Sequence, residues 1–274
     1  MTLTLDGPLL VAGAGKMGGA LLEGLIARGL PGAQIIVQDP SPPPDVAEFL
    51  KRNGIRCAAT IGSLEAAPSL ILAAVKPQVM DQVFAPLAKL AGPKTVVLSI
   101  AAGKTIASFE QHLQPGIAVI RAMPNTPAQV GRGVTACVAN AATSQAQKLM
   151  ASDLLAAVGS VVWLDCEEDI DAVTAVSGSG PAYVFLLAEC LAEAGRAAGL
   201  SPELAQSLAR ATVAGSGELL HHSALDPATL RKNVTSPGGT TAAALEVLMG
   251  TPGLQELMTT AVAAAVRRSR ELSK

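Results

Sequence analysis

Aromatic residues are scarce in this 274-residue sequence, which has one Trp, one Tyr and four Phe. Proteins that bind single-stranded nucleic acid stack bases on aromatic side chains, and proteins that bind duplexes need clustered lysine and arginine. Here 20 basic residues nearly balance 22 acidic ones, and no basic cluster is present. We therefore expect no nucleic-acid partner.

Metal-ligand spacings, secretion signals and long apolar runs are also missing. The cysteines stand far apart and the histidines lack the spacing of zinc ligands; these residues are Cys57, Cys137, Cys166, Cys190, His112, His221 and His222. We expect no metal site, and we expect the cysteines to be small buried hydrophobic residues.

The amino terminus has no basic start followed by an apolar segment, and no apolar stretch reaches the roughly 18 residues of a membrane span. The expected location is the cytoplasm, with no membrane contact.

Up to residue 165, short apolar runs alternate with helical stretches. Nearly continuous apolar runs are typical of strands buried on both faces of a parallel sheet, and here they cover residues 8–12, 34–38, 70–75, 95–100 and 117–121. A further β pair, 133–139 and 160–164, flanks a helix. The pattern predicts an α/β fold, a doubly wound Rossmann-type parallel sheet, as a dinucleotide-binding domain over residues 1–165.

Residues 166–274 show helix after helix and no strand signal beyond Trp163. The helices are apolar and rich in alanine, so they should not be stable alone. We expect an all-helical substrate and dimerisation domain that buries a face against a second subunit. The alternative is a monomeric helical cap on the first domain.

A glycine-rich turn follows the first strand and opens a helix. Its sequence is Gly13-Ala14-Gly15-Lys16-Met17-Gly18. This spacing permits a tight turn, lets the backbone approach a pyrophosphate and packs the helix on the sheet, while the helix amino terminus attracts the anion. The turn is therefore predicted to bind a dinucleotide.

Asp39 ends the second strand, where an acidic residue can accept hydrogen bonds from the adenosine ribose hydroxyls. A 2′-phosphate would meet a carboxylate there, and no arginine or lysine follows within the next few residues. This placement favours use of NADH. The alternative is that Asp39 only starts a turn.

Polar loops follow the later strands, and ligands of open α/β sheets bind beyond the carboxyl ends of the strands. One loop is Ala74-Val75-Lys76-Pro77, and another includes Met123, Asn125 and Thr126. These loops should converge with the glycine turn and contact the cofactor. Lys76 could instead be a solvated first-turn residue, and Asn125 and Thr126 could merely cap a turn.

The helical part contains a turn, residues 235–241, that concentrates hydroxyls and glycines before a helix. Amides and hydroxyls pointing inward form a carboxylate-binding nest without formal charge. The residues predicted to bind substrate are Ser236, Gly238, Gly239, Thr240 and Thr241. Another turn, Ser177–Pro181, is also explained as a capped helix start with proline in its first turn.

Taken together, these motifs resemble the pyrroline-5-carboxylate reductase family over nearly the whole chain. The resemblance rests on the glycine turn, Ala74–Pro77, Arg121–Pro127, Ser177–Tyr183 and Val234–Thr241. It implies reduction of 1-pyrroline-5-carboxylate to L-proline by NADPH or NADH, the last step of proline biosynthesis.

The resemblance also implies roles for single residues. Ser236, Gly239 and Thr240 would hold the substrate carboxylate, and the hydroxyl of Thr241 would lie beside the ring nitrogen as the catalytic residue. The segments Ala74–Pro77 and Met123–Thr126 would line the cofactor cleft. The helical domain would form a homodimer, with five dimers assembled into a decamer in some relatives.

Two other functions fit part of the sequence. A β-hydroxyacid dehydrogenase would use a lysine on a helix of the second domain, where this sequence has only Lys232 and Lys274, neither in a glycine-rich setting. A nicotinamide-sensing or scaffold protein would keep the glycine turn but would leave the turn at 235–241 without a purpose.

Overall fold

The computed structural model describes residues 5–272, which divide into two compact units. Unit 1 comprises the residues up to Gly178 together with those from Val266 onward, and unit 2 comprises Ser179–Ala265. The division predicted at 165/166 falls inside unit 1, because the segment after it contributes Ile170 to a hydrophobic cluster of that unit. Two sequence-based expectations fall on residues outside this range. The expectation about a signal peptide concerns residues 1–4, and the dehydrogenase alternative concerns Lys274.

Unit 1 is built on one eight-stranded sheet with the order β3-β2-β1-β4-β5-β6-β7-β8. The strands are β1 Leu9–Ala12, β2 Ile35–Gln38, β3 Arg56–Ala58, β4 Leu70–Ala73, β5 Val96–Ser99, β6 Ala118–Met123, β7 Gly133–Ala139 and β8 Gly159–Trp163. The chain runs from β1 outward to β3 and then crosses back to β4 on the other side of β1. The predicted doubly wound fold is confirmed, and its switch point lies between β1 and β4.

One strand pair departs from the expected parallel arrangement, since β7 runs antiparallel to β6. The connecting residues 124–132 are fewer than the dozen or so that a parallel crossover needs. The exposed edge strand β3 was not predicted, because it has no apolar run to mark it.

Apolar residues cover both faces of the sheet, as continuous apolar strands require. Leu9 and Val11 belong to the hydrophobic cluster on one face, and Leu10 and Ala12 to the cluster on the other. Alternate residues of β4 divide in the same way. Burial on both faces holds the carboxyl ends of β1 and β4 at fixed positions, which is where the predicted cofactor loops begin.

Six α-helices of unit 1 connect these strands or follow them. They are α1 Lys16–Ala27, α2 Pro44–Arg52, α3 Met80–Ala88, α4 Ile106–Glu110, α5 Gln145–Leu155 and α6 Asp169–Val173. A capping box between Ser144 and Gln147 starts α5, since each side chain bonds the other residue's backbone N–H. A π-helical segment, Thr174–Gly178, follows α6.

Unit 2 consists of helices joined by short connections, and its residues 179–265 include no strand. Its helices are α7 Gly180–Ala197, α8 Pro202–His222, α9 Pro227–Asn233, α10 Thr240–Leu248 and α11 Leu254–Leu272, the last of which continues into unit 1. Gly195 lets α7 approach α8 closely, since a Cβ there would lie 3.3 Å from that of Ala205. The glycine at 199, with φ +100°, ends α7 in the left-handed conformation.

The helices of unit 2 leave most of their apolar side chains exposed in the single chain. Within Ser179–Ala265 the buried hydrophobic side chains are Ala205 and Ala209, whereas Phe185 is 62% exposed. The helical stretch Asp169–Ala197 is long and apolar enough to cross a membrane by length and composition, and 6% of its apolar window is buried. An apolar surface of this size marks an interaction site.

The cysteine prediction is confirmed at one position of four. Cys137 is buried in β7, and desolvation raises the pKa of its thiol from 9.0 to about 12. Cys57, Cys166 and Cys190 are exposed, contrary to expectation. Cys57 lies on the edge strand β3, Cys166 on the link after β8 and Cys190 on α7 of unit 2.

Candidate dinucleotide and substrate sites

Two of the three motif glycines are required by close contacts within unit 1. Gly13 has φ +93°, and a Cβ on it would lie 2.9 Å from the carbonyl oxygen of Ala74. A Cβ on Gly18 would collide with the carbonyl oxygen of Gly13. These glycines therefore let β1, the loop after β4 and α1 pack together.

Gly15 differs from the other two, because a Cβ there would meet no protein atom within 4 Å. The protein itself does not need glycine at this position. Gly15 is the N-cap of α1 and contributes no side-chain hydrogen bond to the helix. Open space thus lies beside a helix start whose first amides no side chain caps, which is the arrangement of an anion site.

The carboxylate of Asp39 is held by two backbone amides. The N–H of Ala14 donates to its Oδ2 at 2.8 Å, and the N–H of Ser41 donates to its Oδ1 at 2.9 Å. Each oxygen retains a further lone pair. Asp39 is therefore part of the glycine loop's own hydrogen-bonding network and remains able to accept bonds from a ligand.

The loop after β4 lies directly against the glycine turn. The N–H of Ala74 donates to the carbonyl oxygen of Ala12 at 2.8 Å, and the side chain of Val75 approaches Gly13. Lys76 is exposed and precedes the short 3₁₀ turn that begins at Pro77. The structure thus brings the glycine turn, Asp39 and the start of the segment Ala74–Pro77 together, as the sequence predicted.

The segment after β6 serves the protein's own packing as well. The 3₁₀ turn Thr126–Val130 packs against α1, and Thr126 is exposed. Met123 is half-buried. Asn125 is buried, and its amide bonds the backbone of Val134 and Ser177. No sequence pattern pairs residues 125 and 177, so sequence reasoning could not find this link.

The turn at 235–241 lies in unit 2 and leads into a helix whose N-cap is a glycine, as in α1. Gly239 is the N-cap of α10, and Gly238 has φ +68°. The hydroxyl of Thr235 donates to the carbonyl oxygen of Arg231 at 2.6 Å. Among residues 5–272, no hydrogen bond uses the hydroxyls of Ser236, Thr240 or Thr241. These hydroxyls and the first amides of α10 are free to bind a ligand.

Sequence reasoning missed a buried ion pair in unit 1. Arg121 of β6 is 5% exposed, and its guanidinium contacts Glu167 at 2.7 Å. The sequence does contain a signal, because Arg121 is the one charged residue in an otherwise apolar strand. A buried arginine needs an acidic partner, but the sequence does not say which residue supplies it.

Comparison with known proteins identifies the family to which both units of this chain are similar. A family profile described as "Pyrroline-5-carboxylate reductase dimerisation" matches residues 167–272, and one described as "NADP oxidoreductase coenzyme F420-dependent" matches residues 9–103. A pyrroline-5-carboxylate reductase of Pseudomonas aeruginosa is 42% identical over 262 residues, covering 96% of this chain and 95% of that protein. The chain belongs to the pyrroline-5-carboxylate reductase family.

Other members of the pyrroline-5-carboxylate reductase family support this assignment. The protein of that name from Synechocystis is 42% identical over 266 residues, covering 96% of this chain and 97% of that one. The structure of the Coxiella burnetii reductase superposes with a TM-score of 0.91 at 36% identity, covering 98% of this chain and all of that one. The Plasmodium falciparum reductase, solved with NADP bound, gives a TM-score of 0.81 at 28% identity, covering 98% and 99%.

Proposed function

We propose that this chain reduces 1-pyrroline-5-carboxylate to L-proline, the last step of proline biosynthesis, using NADPH or NADH as the hydride donor. One observation carries the proposal: α1 and α10 begin at glycines that supply no side-chain cap. By contrast, α4, α5, α8 and α9 begin at Thr105, Ser144, Ser201 and Asp226, whose side chains accept a hydrogen bond from the helix. The uncapped helices α2, α3, α6 and α7 begin at residues larger than glycine, which are Pro43, Val79, Glu168 and Ser179. Uncapped helix starts of this kind suit two anions, a pyrophosphate and a carboxylate.

The residues that would hold the dinucleotide are those of unit 1 around the open space at Gly15. The first amides of α1 would bind the pyrophosphate, and Asp39 would accept the ribose hydroxyls. The segments Ala74–Pro77 and Met123–Thr126 would line the remainder of the cofactor, the second through its backbone and the exposed Thr126, because the side-chain amide of Asn125 is already bonded within unit 1. The bound dinucleotide supplies the hydride, which forms a C–H bond to the imine carbon while the electron pair of the C=N bond moves to nitrogen.

Substrate would be held by the turn of unit 2. The amides at the start of α10 and the hydroxyls of Ser236 and Thr240 would bind its carboxylate, with Gly238 and Gly239 keeping the backbone accessible. The hydroxyl of Thr241 would hydrogen-bond the ring nitrogen and keep its proton in place during hydride transfer. This reaction needs little acid–base machinery, because the protein's main task is to align the two reactants.

The choice between the two dinucleotides is proposed from Asp39. The Plasmodium falciparum relative was solved with NADP bound. In this chain a carboxylate stands where a 2′-phosphate would approach, so NADH should be accepted and NADPH selectivity should be weak.

The assembly is proposed from the exposed apolar helices. The chain forms an oligomer through the segment that the dimerisation profile matches. We propose a homodimer over residues 166–274, with five dimers able to form a decamer. A second copy, rather than lipid, would cover the helix Asp169–Ala197, because Glu189, Glu193 and Arg196 lie within its apolar length. We also propose a cytoplasmic location, where proline biosynthesis would supply the substrate, and no nucleic-acid partner, because 20 basic residues are balanced by 22 acidic ones.

The proposed function is tested by following dinucleotide absorbance in two assays, one with pyrroline-5-carboxylate and NADH or NADPH, the other with 3-hydroxyisobutyrate and NAD+ or NADP+. We expect oxidation of NADH that depends on the imine, with L-proline as the product. Dehydrogenation of the hydroxyacid would favour the β-hydroxyacid dehydrogenase instead. Binding of dinucleotide with no turnover of either substrate would favour a sensing or scaffold role.

A further inference from the structure

Asn125 joins two segments of unit 1 through its side-chain amide. Its Oδ1 accepts a hydrogen bond from the N–H of Val134 at 2.9 Å, and its Nδ2 donates to the carbonyl oxygen of Ser177 at 3.2 Å. Asn125 is 9% exposed. Both bonds are partly buried, so loss of either would leave a partly buried backbone group unpaired, which costs stability. The protein itself thus engages the amide on both its oxygen and its nitrogen.

The partner of this amide, Ser177, lies in the π-helical segment Thr174–Gly178. Segments of this kind are rare and occur frequently at functional sites. The Oγ of Ser177 donates to the carbonyl oxygen of Val173 at 3.1 Å. On the next residue, a Cβ on Gly178 would lie 2.8 Å from Cε of Met123. Met123 and Asn125 therefore hold two consecutive residues of the π-helical segment.

The position of this segment in the chain gives the contact its meaning. Gly178 is the last residue of unit 1 before the chain passes into unit 2. We propose that Asn125 is a positioning residue for hydride transfer, because its amide fixes the segment by which the chain leaves the dinucleotide-binding unit. The inference rests on the proposed function, which assigns the dinucleotide to unit 1 and the substrate turn to unit 2.

The physical reason is the steep dependence of hydride transfer on geometry. A misplacement of about 1 Å can cost on the order of a hundredfold in rate. A loosened π-helical segment would lower the rate of hydride transfer while leaving the phosphate-binding loop intact. If Asn125 instead contacted the cofactor directly, its loss would weaken dinucleotide binding.

The substitution Asn125→Asp removes one hydrogen bond of the amide and keeps the other. The carboxylate keeps an acceptor for the N–H of Val134 but replaces the donor to Ser177 with an oxygen. Asn140→Asp is the matched control, because Oδ1 of Asn140 accepts from the N–H of Val119 at 3.1 Å and its Nδ2 donates to the carbonyl oxygen of Ile117 at 3.0 Å. Asn140 follows β7 and pairs with residues at the start of β6, the end opposite to Asn125.

The full-length variants are compared with wild type for turnover, NADH affinity by fluorescence titration, and the primary isotope effect with 4-deuterated NADH. Asn125→Asp is expected to lower kcat about tenfold, to change the NADH Kd less than about threefold and to raise the isotope effect. Asn140→Asp is expected to lower the melting temperature and to leave kcat and the isotope effect unchanged. If Asn125→Asp does not fold, Asn125→Ala is measured in its place with the same expectation.

Four results would overturn the inference. A weaker NADH affinity with unchanged kcat would make Asn125 a direct cofactor contact. If Asn140→Asp lost as much kcat as Asn125→Asp and raised the isotope effect equally, the role of Asn125 would be merely structural. A wild-type protein inactive on pyrroline-5-carboxylate would overturn the proposed function and this inference with it, whereas an active wild type with an unaffected Asn125→Asp variant overturns this inference alone.

Discussion

Nη1 of Arg121 lies 2.7 Å from Oε1 of Glu167, and the same oxygen accepts the N–H of Ile106 at 2.9 Å. One carboxylate thereby ties the buried strand β6 to the start of α4 and to the segment that follows β8. The guanidinium side chain is 6% exposed, and the carboxylate side chain 27%. A buried charge whose partner is removed is strongly destabilising, because it cannot recover its hydration.

Glu167→Ala should therefore lower the free energy of unfolding by about 3 kcal/mol. The measurement is urea denaturation followed by circular dichroism. Glu271→Ala is the control, since Glu271 pairs with Arg268 on the exposed face of α11 and should contribute less than about 1 kcal/mol. Equal losses in the two variants would contradict a special role for the buried pair.

Asp39→Ser should shift coenzyme preference toward NADPH. Serine removes the negative charge opposite a 2′-phosphate and replaces the two carboxylate oxygens that accept from Ala14 and Ser41 with one hydroxyl oxygen. We expect the ratio of kcat/KM for NADPH to that for NADH to rise about tenfold or more, as for a difference of about 1.4 kcal/mol. Asp45→Ser, an exposed carboxylate in the first turn of α2, should leave the ratio unchanged. An unaltered ratio in Asp39→Ser would assign that residue to the turn alone.

Gly15→Ala should separate cofactor binding from folding. A Cβ at this position meets no protein atom, and the weaker N-cap preference of alanine is offset by its lower chain entropy in the unfolded state, so the free energy of unfolding should change by less than about 1 kcal/mol. The same Cβ would occupy the space proposed for the pyrophosphate and should weaken NADH binding about tenfold or more. Gly18→Ala, which collides with Gly13, should instead lower the melting temperature. Unchanged NADH affinity in Gly15→Ala would place the pyrophosphate elsewhere.

Thr241→Ala should lower kcat more than it changes dinucleotide affinity, since its hydroxyl is proposed to orient the ring nitrogen. A loss of about a hundredfold is expected for a group that positions a proton in the transition state. Thr259→Ala serves as the control, because its hydroxyl bonds Gln255 within α11, donating to the backbone carbonyl oxygen and accepting from Nε2 of the side chain. Wild-type turnover in Thr241→Ala would reject the assigned role.

Phe185→Asp should disrupt the oligomer. Phe185 is 62% exposed on α7 in the single chain, and a charge there would be buried unpaired in a dimer interface. Light scattering coupled to size exclusion should show a smaller mass for this variant. Leu149→Asp, at an exposed leucine of α5 in unit 1, should keep the wild-type mass. An intact assembly in Phe185→Asp would move the interface away from α7.

Local sequence patterns were sufficient to predict a feature wherever the residue types in it have a single structural role. Apolar strands covered on both faces predicted β1, β4, β5 and β6, and Gly13 and Gly18 proved to be required by close backbone contacts. Sequence reasoning missed β3, whose residues are exposed, and the reversal of β7, which depends on the length of a connection. It also expected four buried cysteines, of which only Cys137 is buried, because burial depends on what covers a strand or helix.

The sequence by itself determined the doubly wound sheet, the glycine turn and the helical carboxyl-terminal part, because periodicity and glycine spacing act over a few residues at a time. Only the tertiary structure decided that Asp39 bonds Ala14, that Arg121 pairs with Glu167 and that Asn125 reaches Ser177. The partners in each of these pairs stand 25 to 52 residues apart along the chain. Such distant groups meet only when the whole sheet has formed, and hydrogen bonds are too short-ranged for residue type alone to specify their partners.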